Sequence, residues 1–170
     1  MALDGFILSH IIRLVMKPSE LRIFLEFIDK HWVGKGWIID EVAVGRSFKG
    51  VPRISGWVDA IFVDDPNQDD NITNGIGVNK NIANWIETGK GTRKRLLSQL
   101  EGKNVWLFEV KDYLNYEALG QILTYNYHFI TDYPRTLIAG LGIICKPSES
   151  SIVMRIGPAC KYYGIEVFNV

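Results

Sequence analysis

Residues 104–111 read NVWLFEVK, and this stretch decides the fold. Its almost unbroken apolar run predicts a strand covered on both faces, as in the middle of a sheet. Because side chains alternate across a strand, Glu109 and Lys111 share one face with Leu107. Charged groups at the end of a central strand cost free energy when they are buried, unless they form an ion pair or take part in binding or catalysis. A plain salt bridge at the strand terminus explains this short, common tripeptide as well as a catalytic site does.

Two strands are predicted before this one. Residues 37–44 (WIIDEVAV) and 53–63 (RISGWVDAIFV) are rich in β-branched and aromatic residues and are expected to pair as a hairpin. Asp59 lies among apolar neighbours in the second strand, where an aspartate must be compensated. If that strand pairs with residues 104–111, Asp59 and Glu109 face the same point. Two carboxylates there repel unless a divalent cation lies between them, and oxygen ligands favour Mg²⁺ or Mn²⁺.

The remaining elements are predicted from periodicity and turn residues. An amphipathic helix over 20–32 should bury Leu21, Phe24, Leu25, Ile28 and Trp32, and a helix over 115–130 should bury Leu119, Ile122, Phe129 and Ile130. Short helices are expected over 5–16, 82–87 and 92–101, a buried strand over 136–145, and β-like runs over 151–156 and 164–169. This order predicts an α/β fold, with a mixed central sheet flanked by helices.

A polar stripe on the helix over 115–130 adds to the strand motif. Gln121, Tyr125 and His128 lie at helical spacing beside the core face, where a simple solvent-facing stripe is the alternative. Gly120 is expected to let the helix backbone approach its neighbours closely. Because strand-end residues and the following helix border the same cleft, the stripe is predicted to line a site at Glu109.

Bulk properties narrow the class of protein. The chain has 170 residues, which fits one domain spanning 1–170, and its formal net charge is zero. Zero charge counts against a protein that coats nucleic acid, but not against an enzyme with acidic ligands in a basic groove. No apolar run reaches the length of a membrane span, and no secretory signal is recognised, so an intracellular, cytoplasmic location is expected. Cys145 and Cys160 lack metal-site spacing and are expected to be packed thiols.

Taken together, the motifs resemble the PD-(D/E)XK nuclease superfamily. The matching parts are Asp59 in a hairpin, Glu109-Val110-Lys111 in a central strand, and Gln121-x-x-x-Tyr125 in the next helix. The last part is similar to RecB-type and related viral and archaeal exonucleases. The resemblance covers residues 18–145 and implies a restriction-endonuclease-like αβββαβ core with an insertion at about 65–103. The proline that usually precedes the first aspartate of the motif is absent.

The resemblance implies a Mg²⁺- or Mn²⁺-dependent deoxyribonuclease. Asp59, Glu109 and the backbone carbonyl of Val110 would bind the metal. Glu20 is a candidate further ligand from the first helix, because Glu26 falls away from the predicted core face.

The implied roles of the other motif residues are less direct. Lys111 would orient the attacking water or help deprotonate it, with a pKa depressed by the nearby cation. Gln121 and Tyr125 would brace the site or contact the DNA backbone.

The insertion carries a possible DNA contact. Lys90, Arg93, Lys94 and Arg95 form a basic cluster of the kind that contacts phosphates, although a solvated helix face is an equally simple explanation. Two further readings stay open: a catalytically inactive DNA-binding or assembly protein, and a Holliday-junction-resolvase or restriction-type endonuclease. A homodimer is expected if the final strand over 164–169 pairs with another chain.

Overall fold

The computed structural model describes residues 16–31, 36–45, 56–64 and 92–170. These residues form four helices and five strands. In chain order they are α1 (Pro18–His31), β1 (Gly36–Val44), β2 (Gly56–Asp64), α2 (Thr92–Leu100), β3 (Asn104–Tyr113), α3 (Tyr116–Asp132), β4 (Leu137–Lys146), α4 (Ser150–Tyr162) and β5 (Ile165–Asn169).

The strands form one mixed sheet whose order follows the chain, β1-β2-β3-β4-β5. The pairs β1–β2 and β2–β3 are antiparallel, and the pairs β3–β4 and β4–β5 are parallel. The predicted α/β class and the predicted pairing of the hairpin with the strand at 104–111 are therefore confirmed. β3 is central, as its apolar run predicts.

Helices cover both faces of the sheet, and alternate residues of β3 contribute to two separate cores. Val105 and Leu107 belong to a cluster built with α2, α3 and α4. Phe108 and Val110 belong to a second cluster built with α1, whose Ile23, Phe24, Phe27 and Ile28 are buried. Glu109 and Lys111 continue the first series, so the two charged residues lie on the α3 side of the sheet.

The prediction of a strand over 151–156 is wrong, because these residues lie within α4. Ile156 and Cys160 are buried from this helix, one turn apart. A helix is required here because β4 and β5 are parallel, and parallel neighbours need a crossover connection. Pro158 inside α4 and the β-branched residues at its start obscure the helical period.

Two predicted core residues are exposed. Leu25 is 38% exposed, because the buried face of α1 is centred on Ile23 and Phe27. Ile130 is 48% exposed at the far end of α3, although Leu119, Ile122 and Phe129 are buried as predicted. Cys145 and Cys160 are free and buried, which confirms the prediction of packed thiols.

Parts of the predicted organisation lie outside the described residues. These are Trp32, the predicted helix over 82–87 and the insertion up to residue 91. The predicted helix over 5–16 also lies outside them, except for residue 16. The last part of the insertion forms α2, which buries Leu96 and Leu100 in the core cluster on the α3 side. No helix in the described ranges is both long and apolar enough to cross a membrane.

Candidate active site

The antiparallel pairing of β2 and β3 ends where the acidic residues meet. The ladder runs from Asp64 opposite Asn104 to Ala60 opposite Phe108. One further step would place Asp59 opposite Glu109. Instead, Oδ2 of Asp59 accepts a hydrogen bond of 2.8 Å from the backbone amide of Val110. The two carboxylates, predicted to face one point, thus lie where the two strands part.

The regular alternation of β2 is interrupted at Asp59. Val58 and Ile61 are three residues apart and should face opposite sides, yet both belong to the cluster on the α3 side. In β1, Ile39 and Val42 do the same, and they pair with Ile61 and Val58 respectively. The alternation of side chains between the two faces of the β1–β2 hairpin is therefore interrupted at Asp59. The Asp59 carboxylate thus does not have to pack in a purely apolar layer.

Glu109 is the most deeply buried acidic group of the site, with 1% of its surface exposed. Its Oε1 lies 3.0 Å from Nζ of Lys111. Its Oε2 is buried and has no hydrogen-bond partner among the described residues. Burial and the charge of Asp59 raise the pKa of Glu109 to about 8, and they outweigh the opposing effect of Lys111. A buried carboxyl with an unused oxygen is a costly feature for a fold to keep.

Lys111 lies between two acidic groups. Besides Glu109, its Nζ is 3.7 Å from Oε1 of Glu117, an exposed residue in the first turn of α3. Burial acts to lower the pKa of Lys111, but Glu109, Asp59 and Glu20 raise it above its ordinary value. The acidic neighbours dominate among the protein's own groups, and the depression expected beside a bound cation stays a prediction. Lys111 is a protonated ammonium group here.

Gln121 and Tyr125 meet on α3, as their helical spacing predicts. Nε2 of Gln121 donates a hydrogen bond of 3.3 Å to the Tyr125 hydroxyl. Burial, with the charges of Glu109 and Asp59, raises the pKa of Tyr125. Oε1 of Gln121 is buried and accepts no hydrogen bond from any described residue.

The glycine that admits Tyr125 lies on β2 and not on α3. A Cβ atom on Gly56 would collide with the ring of Tyr125. By contrast, a Cβ atom on Gly120 would meet nothing within 4 Å, so the expected close approach at Gly120 is wrong. Sequence reasoning missed Gly56, although a glycine inside a predicted strand is a known signal of close approach.

Glu20 lies near the site but is engaged by its own helix. Its Oε2 accepts a hydrogen bond of 3.1 Å from the backbone amide of Lys17, and its Oε1 lies 3.3 Å from Lys17 Nζ. This arrangement caps the N-terminus of α1. Glu20 nevertheless contributes to the raised pKa of Glu109, so its charge is felt at the acidic pair.

A hydrogen bond fixes the first turn of α1 to the end of β3. The Ser19 hydroxyl donates to Oδ2 of Asp112 over 3.1 Å, and Oδ1 of Asp112 lies 3.7 Å from Lys146 Nζ. Sequence reasoning assigned no role to Asp112, because its partners are distant in the chain.

The residues present fit a cation bound by few protein ligands. In the described part of the chain, no three His, Cys, Asp or Glu residues converge closely enough to hold a metal ion. Asp59 and Glu109 form a two-carboxyl centre, in which Oε2 of Glu109 is available and the charge of Asp59 disfavours the ionisation of Glu109. Both properties are those of a site whose charge a divalent cation would balance.

The predicted basic cluster of the insertion falls outside what the structure describes. Lys90 lies outside the described residues, and so do the side chains of Arg93, Lys94 and Arg95. Their contact with DNA stays a prediction.

Comparisons of the chain with protein-family models, with curated proteins and with solved structures gave no significant match.

Proposed function

We propose that the protein is a metal-dependent DNA nuclease that hydrolyses phosphodiester bonds, with a restriction-endonuclease-like core. The observation that carries the proposal is the pair of buried acidic residues on neighbouring strands, Asp59 on β2 and Glu109 on β3, with the protonated amine of Lys111 3.0 Å from Glu109. Two acids and a lysine in this arrangement suit cleavage of a phosphate ester, because they combine a cation site with a positive charge for the developing anion.

Asp59, Glu109 and the carbonyl of Val110 would hold the cation, and Glu20 would join them if it left Lys17. A bound Mg²⁺ or Mn²⁺ would polarise the scissile phosphate and lower the pKa of a water molecule. The unpartnered Oε2 of Glu109 supports this ligand set.

Lys111 is proposed to contact the scissile phosphate rather than to act as a base. Its raised pKa keeps the ammonium charged at neutral pH, and a charged donor stabilises the additional negative charge of the transition state. Glu117 is exposed and 3.7 Å away, so a phosphate could replace it as the outer partner of Lys111.

Gln121 and Tyr125 are proposed to order the site from α3. The buried Oε1 of Gln121 can accept a hydrogen bond from a water molecule near Glu109. The Tyr125 hydroxyl is already bonded to Gln121, so the pair acts as one rigid support.

The alternative is a non-catalytic DNA-binding or assembly protein. It is favoured by one observation: among the described residues, no third acidic ligand converges with Asp59 and Glu109. The nuclease is preferred because binding alone gives no reason to keep two carboxylates together near a polyanion. A junction resolvase or restriction-type enzyme would use the same chemistry on a different DNA shape.

The test is a cleavage assay on linear, circular and branched DNA, with Mg²⁺, with Mn²⁺ and with EDTA. We expect metal-dependent cleavage that falls by about a hundredfold or more in Glu109→Gln and in Asp59→Asn. Glu26→Gln is the matched control, because Glu26 is an exposed acid paired with Lys30 on α1.

Two outcomes would contradict the proposal. Cleavage by Glu109→Gln at the parental rate would remove Glu109 from the chemistry. Metal binding by the parent protein without cleavage of any DNA substrate would favour the non-catalytic alternative. The cytoplasmic location and the pairing of β5 with a second copy are further proposals, and β5 lies at an edge of the described sheet.

A further inference from the structure

Lys111 has a second acidic partner, which differs from Glu109 in its exposure. The side chain of Glu117, in the first turn of α3, is 68% exposed, whereas that of Lys111 is 14% exposed and Glu109 is buried. Nζ of Lys111 lies 3.0 Å from Oε1 of Glu109 and 3.7 Å from Oε1 of Glu117. The ammonium group therefore has one buried acidic neighbour and one that solvent reaches.

The contact between Glu117 and Lys111 contributes little to the fold. Its length of 3.7 Å exceeds that of a hydrogen bond, and ion pairs with an exposed partner add little stability. The N-terminus of α3 has a separate cap, since Oδ1 of Asn115 accepts a hydrogen bond of 2.8 Å from the backbone amide of Ala118. Glu117 can therefore move away from Lys111 while α3 stays in place.

Glu117 and a substrate phosphate would compete for the same ammonium group. A carboxylate and a phosphate both present anionic oxygens to a lysine, so only one of them can take this position at Lys111. Burial acts to lower the pKa of Lys111, but Glu109 and Asp59 raise it, so the ammonium stays protonated when Glu117 leaves. The same acids repel an incoming phosphate, and a cation held by Asp59 and Glu109 would offset that repulsion.

We propose that Glu117 is an internal competitor of the substrate phosphate, which occupies Lys111 in the unliganded protein and keeps its affinity for DNA low. The inference rests on the proposed function for its choice of DNA, and it adds a regulatory contact to that site. A phosphate that reaches Lys111 displaces Glu117 into solvent and leaves the buried Glu109 in place. Tight binding of DNA thus depends on the cation, and the protein does not retain DNA that it cannot cut.

The test measures DNA binding without cleavage. The parent and the Glu117→Gln protein are titrated in EDTA into a fluorescein-labelled DNA duplex, and anisotropy gives the Kd. We expect Glu117→Gln to tighten binding about fivefold, as for one repulsive contact removed at about 4 Å in water. The slope of log Kd against log salt should steepen by about 0.9, because one more phosphate is contacted.

Two further variants assign the effect to Lys111. Glu26→Gln is the matched control, because it also separates an acid from its lysine, Lys30, but on α1. In a Lys111→Gln background, Glu117→Gln should change the Kd by less than about twofold, because the competition needs the ammonium group.

The outcomes separate this inference from the proposed function. Parental affinity in Glu117→Gln, or an equal gain in Glu26→Gln, would overturn the competitor role, whatever the cleavage assay shows. A gain that persists in the Lys111→Gln background would also contradict it. A protein that cuts no DNA but shows the gain only when Lys111 is present would overturn the nuclease proposal alone. A lack of DNA binding by every variant would overturn both.

Discussion

Asp59 takes the place of the next ladder step between β2 and β3, because its Oδ2 accepts the amide hydrogen of Val110. This single bond satisfies a buried backbone donor where the two strands separate. It also holds the Asp59 carboxylate beside Glu109, whose pKa it raises. One side chain thus ends the sheet pairing and supplies half of the acidic pair, and its two contributions can be separated by mutation.

Asp59→Asn should keep the bond to Val110, because the amide oxygen is also an acceptor, while it removes the charge. We expect the pKa of Glu109 to fall and the stability to change little. Asp59→Ala should cost about 1–3 kcal/mol, because it leaves the amide of Val110 without a partner. Urea unfolding measures the stabilities, and carboxyl carbon NMR titration measures the pKa. Equal destabilisation by both variants would show that the bond to Val110 is not the stabilising element.

The metal-free protein should become less stable as the pH rises from 5 to 8. The pKa of Glu109 is about 8 in the folded protein and 4.5 ordinarily, so the unfolded chain releases its proton first and binds fewer protons in this range. The loss should approach about 1.4 kcal/mol per pH unit, measured by urea unfolding in EDTA.

Glu109→Gln should flatten this pH dependence and stabilise the metal-free protein at pH 8. Glu26→Gln is again the control, because Lys30 lowers the pKa of Glu26 and its titration lies below the tested range. A slope unchanged in Glu109→Gln would mean that another group carries the proton.

The two glycines near α3 give a matched pair of substitutions. Gly56→Ala should destabilise the protein by about 1–3 kcal/mol and weaken cleavage, because the new Cβ displaces Tyr125. Gly120→Ala should stabilise it by about 0.5–1 kcal/mol, because the site on α3 is open and alanine favours a helix. Thermal unfolding checks both, and a neutral Gly56→Ala would refute the close contact with Tyr125.

Two uncharged variants of Glu20 test whether this residue binds the metal or only caps α1. Glu20→Gln keeps an acceptor for the amide of Lys17, so stability should change by less than about 0.5 kcal/mol, whereas Glu20→Ala should cost about 1 kcal/mol. If Glu20 is also a ligand, Glu20→Gln should weaken Mn²⁺ binding about tenfold in calorimetry. Unchanged Mn²⁺ affinity would restrict Glu20 to the capping of α1.

The sequence predicts the central strand and its facing residues well, because an apolar run with two charges at one end has few alternatives. It also predicts that Asp59 and Glu109 meet, since a hairpin followed by a central strand can bring them opposite each other. It fails on α4, where the local preference for β structure is overridden by the need for a crossover between parallel strands.

The candidate site could be predicted in its residue types but not in its electrostatics. The direction of the Lys111 pKa shift depends on the charges of three acids carried by β2, β3 and α1. Gly56 becomes informative only when Tyr125 is known to lie above it. Such relations between distant residues leave no periodic signal in one sequence.

The agreement between strand order and chain order has a consequence for how the molecule assembles. Each strand can join the edge left by the strand before it, so no strand has to enter between two partners that have already paired. Residues 65–91 connect β2 to α2, and the entropy of closing such a connection grows slowly with its length. Shortening or extending residues 65–91 should alter the folding rate far more weakly than disturbing the β3–α3–β4 unit, which contains the two interior parallel strands.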